Sequence, residues 1–225
     1  IKMNKDFLLL IVLFSISGKK IDIPPDEFSI LYFENPQPIN DSELSKIPNK
    51  FRGLFMNSDS TYLNIKEKSI LMERYYKYRF HKKDMDSIKD IFDFVNNRYV
   101  SKYNHDVFDY RYLGDSIELS NKEIDTFFVF SKRQKAKRID GQLILNYQDS
   151  IYWKINAVSL EKNVLKIKYM YSEEDLKRID SVTKIKSAMI DSTLFILKPS
   201  RNEFKRILNI KDLGETAAYK KVKNN

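Results

Sequence analysis

Asp149-Ser150-Ile151-Tyr152-Trp153-Lys154-Ile155 sets a polar corner in front of an apolar, aromatic run. Asp and Ser side chains hydrogen-bond backbone amides two residues on and so favour turns. The β-branched and aromatic residues that follow favour a pleated strand. The stretch therefore reads as a turn that launches a strand. The same pattern recurs in Asp59-Ser60-Thr61-Tyr62-Leu63-Asn64-Ile65, Asp115-Ser116-Ile117-Glu118-Leu119 and Asp191-Ser192-Thr193-Leu194-Phe195-Ile196-Leu197. The four corners are 56, 34 and 42 residues apart (115−59, 149−115, 191−149). A solenoid or propeller needs a near-constant period, so these spacings point to a sheet that runs back and forth.

Around the quoted stretch, residues 141–147, 151–160 and 164–171 form a predicted three-stranded meander, turned at Asp149-Ser150 and at Glu161-Lys162-Asn163. Upstream, residues 51–56, 61–66 and 70–80 read as consecutive strands separated by gaps of hairpin length. Further strands are predicted at 108–112, 116–119 and 126–130. In residues 82–100, Ile88, Ile91, Phe92 and Val95 recur at the helical period. A short helix or irregular crossing is predicted there, with a pair of short strands as the alternative.

Downstream, Ser172-Glu173-Glu174-Asp175 places a cap residue and three acids at a helix start, where the helix dipole favours negative charge. Leu176, Ile179 and Val182 would face inward. Ser200-Arg201-Asn202-Glu203 is a capping-box pattern ahead of Phe204, Ile207 and Leu208. A strand at 192–197 and a closing strand at 216–222 complete the reading. The predicted class is α+β and β-rich: an antiparallel meander or barrel-like sheet with two or three short helices.

Three segments follow from composition. Residues 1–18 have the form of a signal peptide: Lys2 and Lys5, then the apolar run Phe7 to Phe14, then Ser15-Ile16-Ser17-Gly18. As a helix, 7–17 would measure about 16 Å at 1.5 Å per residue. A membrane span needs about 20 residues, so no stable transmembrane span is expected. Residues 19–50 hold five of the six prolines and read as an extended connector, with 28–33 as a docked edge strand. Residues 51–225 form the expected β-rich domain.

The 225-residue chain carries 40 basic and 31 acidic residues, a net charge of +9, with 14 Tyr, 15 Phe, two His and no Cys. Absence of Cys removes disulfides, thiol nucleophiles and thiolate metal sites. The positive charge allows attraction to a polyanion, yet acids are interspersed along the chain and nucleic acid is not the expected partner.

The leader, the turn-strand Asp59 to Ile65 after Phe51-Arg52-Gly53, the run Gly141-Gln142-Leu143-Ile144-Leu145-Asn146 to Trp153, and the Ser172-Glu173-Glu174-Asp175 helix start together resemble uncharacterised exported envelope lipoproteins of Bacteroidota-type bacteria. The resemblance implies export to the periplasm or cell envelope and a β-rich architecture, and carries over no active site. Lys19 stands where such a signal would place the lipidated Cys, after Ile16-Ser17-Gly18.

The constellations that carry chemistry are few. The glycines are too scattered for a phosphate-cradling loop, and Gly114-Asp115-Ser116 lacks the rest of a nucleophile elbow. His81 beside Lys82-Lys83 and His105 between Asn104 and Asp106 read as exposed loop residues, although a His–Asp pair can orient a general base. Asp84, Asp86, Asp90 and Asp93 fail the calcium-loop pattern, with Lys89 and Val95 at the sixth and twelfth positions, and read as a solvated face. No metal, cofactor or catalytic residue is assigned.

Lys132, Arg133, Lys135, Lys137 and Arg138 are the strongest charge signal and the candidate ligand or surface-binding residues. They read as a finger for lipid phosphate or another polyanion, or as a solvated hairpin tip that deters edge pairing. In Tyr75 to Phe80, alternation puts Tyr76, Tyr78 and Phe80 on one face and Tyr75, Lys77 and Arg79 on the other. The expected function is that of an exported, non-catalytic envelope protein that binds a partner or ligand. The alternatives are a carboxylate-dependent hydrolase without a sequence signature, or a module that binds an anionic surface through residues 132–138.

Overall fold

A computed structural model describes residues 31–182, 188–189 and 194–222. The leader, residues 19–30, the Asp191-Ser192 corner and the Val182 side chain lie outside what is described. In chain order the elements are β1 (Leu31–Phe33), β2 (Gly53–Met56), β3 (Tyr62–Ile65), β4 (Ser69–His81), α1 (Met85–Ile91), β5 (Phe92–Val95), β6 (Arg98–Ser101), β7 (Val107–Leu113), β8 (Ser116–Val129) and β9 (Gln134–Ile139). They continue with β10 (Gln142–Asp149), β11 (Tyr152–Glu161), β12 (Val164–Tyr169), α2 (Glu173–Val182), β13 (Ala188–Met189), β14 (Phe195–Leu197), α3 (Arg201–Leu208) and β15 (Glu215–Lys221).

The polar corners do the turning. Ser60 and Ser150 adopt φ of 61° and 56°, and β3 and β11 begin two residues later. Gly114, with φ 58°, turns the chain into β8 at Asp115-Ser116. Three further hairpins use two-residue corners with positive φ at both positions: Asn96-Asn97, Asp140-Gly141 and Lys162-Asn163. That geometry matches the right-handed twist of the strands on either side.

The sheet runs β13-β14-β1-β11-β12-β15-β2-β3-β4-β8-β7-β6-β5, with β10 and β9 branching from β11. It is antiparallel except for β1 against β14 and does not close into a barrel. One face curls around a core that includes Phe51, Phe55, Phe128, Leu143, Leu165 and Tyr219. The opposite face of β10 and β11 packs with α2 and α3, and with side chains of the neighbouring strands β1 and β14, around Phe33, Ile144, Trp153, Ile179, Phe204 and Ile207. With both faces covered, Leu143-Ile144-Leu145 is a continuous apolar run rather than an alternation. Each fully buried aliphatic or Phe side chain contributes roughly 1.5–3 kcal/mol.

Both expected helix starts form. Asp175 is buried, and its carboxylate accepts from Tyr171 N, Ser172 N and Gly214 N at 3.1, 3.2 and 2.7 Å. Ser200 and Glu203 make the reciprocal capping box of α3.

Residues 31–50 are not a connector laid outside the body. Leu31, Phe33, Gln37 and Ile47 are buried. Asn146, with no exposed surface, accepts from Gln37 N at 2.6 Å and donates to Gln37 O at 2.9 Å. β1 is an interior strand between β14 and β11 rather than an edge. Prolines suit this segment because it runs over the sheet without joining a ladder along most of its length.

The polar stretch from Ser120 to Asp125 is no loop. β8 is one 14-residue strand that pairs with the 13-residue β4 from Ser69↔Val129 to His81↔Ser116. The middle of this ribbon is a neck, solvated on both faces. Beyond it, residues 78–119 form a separate arm with its own core of Ile88, Phe92, Tyr99, Phe108, Ile117 and Leu119. Residues 82–100 satisfy both readings at once: Ile88 and Ile91 fall on α1, and Phe92 and Val95 on β5.

Candidate functional site

The five-cation run does not make one surface. Alternation along β9 sends Lys135 and Lys137 to the face that residues 34–44 cover. Lys137 is buried, and its ammonium donates to Pro36 O and Pro38 O at 3.1 and 2.9 Å. Burial pulls its pKa below the ordinary lysine value. Lys135 pairs with Glu43 at 2.6 Å and lies over the Trp153 ring. Arg133 donates to Gln148 O at 3.3 Å. Only Lys132, Arg133 and Arg138 are exposed. The segment 131–133 joins β8 to β9, which are not paired strands, so it is not a hairpin tip.

The histidines separate likewise. His81 Nε2 lies 3.0 Å from Asp115 Oδ2, and its Nδ1 accepts from Lys83 N at 3.1 Å. The proton is thereby placed on Nε2. The imidazole caps the turn into α1, and both partners are exposed. Of the four clustered acids, Asp86 pairs with Lys89 and Asp93 with Lys102. Among the described residues no group of three or more His, Asp or Glu is placed to hold a metal ion, and no helix is long and apolar enough to cross a membrane.

What the fold does bring together is a cleft of about 570 Å³ at the root of the arm. β4 supplies Tyr76 and Tyr78, β8 supplies Asn121 and Glu123, and the 101–107 turn supplies Asn104, His105 and Asp106. Register explains the grouping, because Tyr76 sits opposite Asn121 and Tyr78 opposite Leu119 on one face. Tyr78 stacks edge-on against Phe108 at 5.7 Å, so its ring forms a fixed floor.

Tyr76 is exposed and donates its hydroxyl to Glu123 at 2.9 Å. Burial, then this carboxylate, push the Tyr76 phenol up to about 12. Glu123 also pairs with Arg74, which holds Asp125 as well. Lys122 is taken up by Glu73 at 2.9 Å, and Asp106 accepts from Asn104 at 2.5 Å. The charges lining the cleft are therefore largely answered within the protein. What remains on offer is an aromatic floor and the Asn121 amide, able both to donate and to accept.

The ribbon and arm together carry most of the large apolar and aromatic side chains exposed among the described residues. Tyr75, Tyr76, Phe94, Val95, Tyr103, Val107, Tyr112 and Ile124 are exposed, with Val129 at the ribbon's end; among the described residues outside the ribbon and arm, only Ile151 is comparable. Phe94, Tyr99, Tyr110 and Tyr112 form a ladder of tilted and edge-to-face rings with centroids 5.0–5.6 Å apart. Lys82 lies over its end at Tyr112. The opposite face is ionic: Glu118, almost fully buried, is held by Arg79 and Arg111. Those guanidinium groups, Arg79 first, keep its carboxyl below the usual carboxylate range.

Sequence reasoning reached Tyr76, Tyr78 and His105 but did not join them to Asn121 and Glu123. The signal that would have joined them is the register of a long ribbon whose middle shows no apolar alternation. Compared with protein-family models, curated proteins and solved structures, the chain matches none.

Proposed function

We propose that this is an exported envelope protein that binds rather than catalyses, and that it binds with the arm. The observation that carries the reading is the concentration of exposed aromatic and apolar side chains on residues 75–124. Solvent-facing apolar surface gathered in one place marks an interaction site. Scattered exposed residues would not.

The root cleft narrows the ligand to a neutral, hydroxyl-rich ring, as in a carbohydrate. Tyr76 and Tyr78 offer ring faces, Asn121 offers a paired donor and acceptor, and the lining charges Lys122 and Glu123 are each paired within the protein. The non-catalytic part is supported by the three buried carboxylates of the described residues. Glu73 is held by Asn64 and Lys122, Glu118 by two arginines, and Asp175 by backbone N–H groups. Export is supported by the form of residues 1–18 and by the resemblance to envelope lipoproteins.

The test is titration of a panel of envelope-type oligosaccharides, followed through tyrosine resonances of the wild type and of Tyr76→Ala. Saturable binding that Tyr76→Ala abolishes is expected. A silent panel, or binding indifferent to Tyr76, refutes the reading. N-terminal sequencing of the protein from fractionated cells tests export; an intact leader in the cytoplasm refutes it.

A further inference from the structure

We propose that a second cleft, on the outer face of β11, β12 and β15, binds a phosphate monoester group. It measures about 610 Å³ and lies far in sequence from the arm. Strand register builds it. Lys168 sits between Ala157 and Thr216, and Lys166 between Ser159 and Ala218. All four neighbours are small, so the two lysine stems stand over a shallow floor that no larger side chain fills. Lys50, at the Gly141 corner, forms one wall, and the last turn of α3 at Leu208 forms another.

The charges are unbalanced. Lys168 makes no salt bridge among the described residues: its ammonium donates to Leu208 O at 3.3 Å, and the one carboxylate that acts on it from a distance, Asp175, is taken up by backbone N–H groups. Lys50 donates to Gly141 O at 2.6 Å. Lys166 pairs with Glu161 at 3.1 Å, and Asp140 is held by Lys205 from α3 at 3.1 Å. Three lining lysines thus face two carboxylates, one of which a fourth lysine already occupies.

Burial lowers the Lys168 pKa. A half-buried ammonium of this kind gains most from an anion brought to it. No arginine lines the cleft. The planar fork that pairs with a carboxylate is missing, and lysines act on phosphate as point charges. Ser159, Thr216 and Gln142 supply neutral partners for the remaining phosphate oxygens or for the group that bears them.

The phosphate could be carried by a soluble ester or by a lipid headgroup, and the experiment separates the two. The full chain is titrated at fixed ionic strength with inorganic phosphate and with glucose 6-phosphate, by calorimetry. In parallel it is floated with phosphatidylcholine vesicles with and without phosphatidic acid. Lys168→Gln and Lys50→Gln are compared with Lys132→Gln, which removes the same charge away from the cleft.

Saturable binding is expected, weakened about tenfold or more by each cleft substitution and unchanged by Lys132→Gln. Binding of a soluble phosphate assigns a free ester, and binding to phosphatidic acid vesicles alone assigns a headgroup; either upholds the site. Equal weakening by all three substitutions, or no binding to any probe, overturns it. Should Lys168→Gln melt abnormally, Lys50→Gln decides, because its side chain lies outside the β11–β12–β15 ladder.

Discussion

Replacing Asn146 by Ala tests whether residues 34–44 belong to the body. The carboxamide mimics a strand backbone: it accepts the Gln37 N–H at 2.6 Å and donates to the Gln37 carbonyl at 2.9 Å, in a site with no exposure. Truncation leaves both Gln37 groups unanswered. Each buried unsatisfied group costs about 1–3 kcal/mol, so a loss of about 2–6 kcal/mol is the range. Lys137, on the same sheet face, donates to Pro36 O and Pro38 O and still holds the segment. The upper part of the range is therefore reached only if the segment cannot lift enough to admit water. We expect about 3 kcal/mol from urea denaturation. The Gln37 amide should lose its protection from hydrogen exchange before the sheet does. A loss below about 0.5 kcal/mol, the scale of ordinary surface substitutions, with Gln37 still protected, would refute the reasoning.

Gly214→Ala would place a Cβ 2.3 Å from the Tyr169 carbonyl oxygen at φ +72°; a loss above about 2 kcal/mol is expected. Gly114→Ala, at φ +58° with open space around it, should cost only about 1 kcal/mol, and equal melting temperatures for the two variants would contradict the assignment. The Asn64 and Lys122 side chains hold the Glu73 carboxyl below its ordinary 4.5, so its stabilisation is present above that value and lost as pH falls through the lowered one. The stability gap between wild type and Glu73→Gln should accordingly close in acid, and a gap constant with pH counts against it. Tyr171 donates to Glu215 at 2.7 Å, which pushes its phenol from 10.0 up to about 12. The folded state then keeps the proton longer, and this contribution, intact below 10.0, fades as pH rises to about 12. Tyr171→Phe should flatten the denaturant midpoint across that alkaline window; an unchanged slope would remove the role of the bond.

Legibility in the sequence followed burial. The three described Asp-Ser corners, the 141–171 meander and both helix caps were readable because turn chemistry and capping are local. The ribbon was not. Ser120 to Asp125 faces solvent on both sides, so nothing there alternates, and a strand without a buried face looks like a loop. Residues 31–50 misled for the opposite reason. Their prolines announce the absence of a ladder, yet the hold on them comes from Asn146 and Lys137, about a hundred residues away. The cation run suffered likewise, since a lysine that caps carbonyls and one that meets solvent are spelled alike. The root cleft needed the β4–β8 register, which no single stretch of chain encodes.

β15 lies between β12 and β2, and among the described residues its ladder to β2 is the sheet's only link between the two halves. That link is two residue pairs, Lys220↔Met56 and Lys221↔Phe55, and it joins positions 166 residues apart (221−55). Closing so wide a loop comes late, after its entropy has been met by contacts already formed. Refolding should therefore be biphasic, with hairpins assembling quickly and the seam slowly. In the interval the unpaired margins of β2 and β15 stand open, so that β15 of one molecule can pair with β2 of another, which makes strand exchange between copies the characteristic error of this architecture at high concentration.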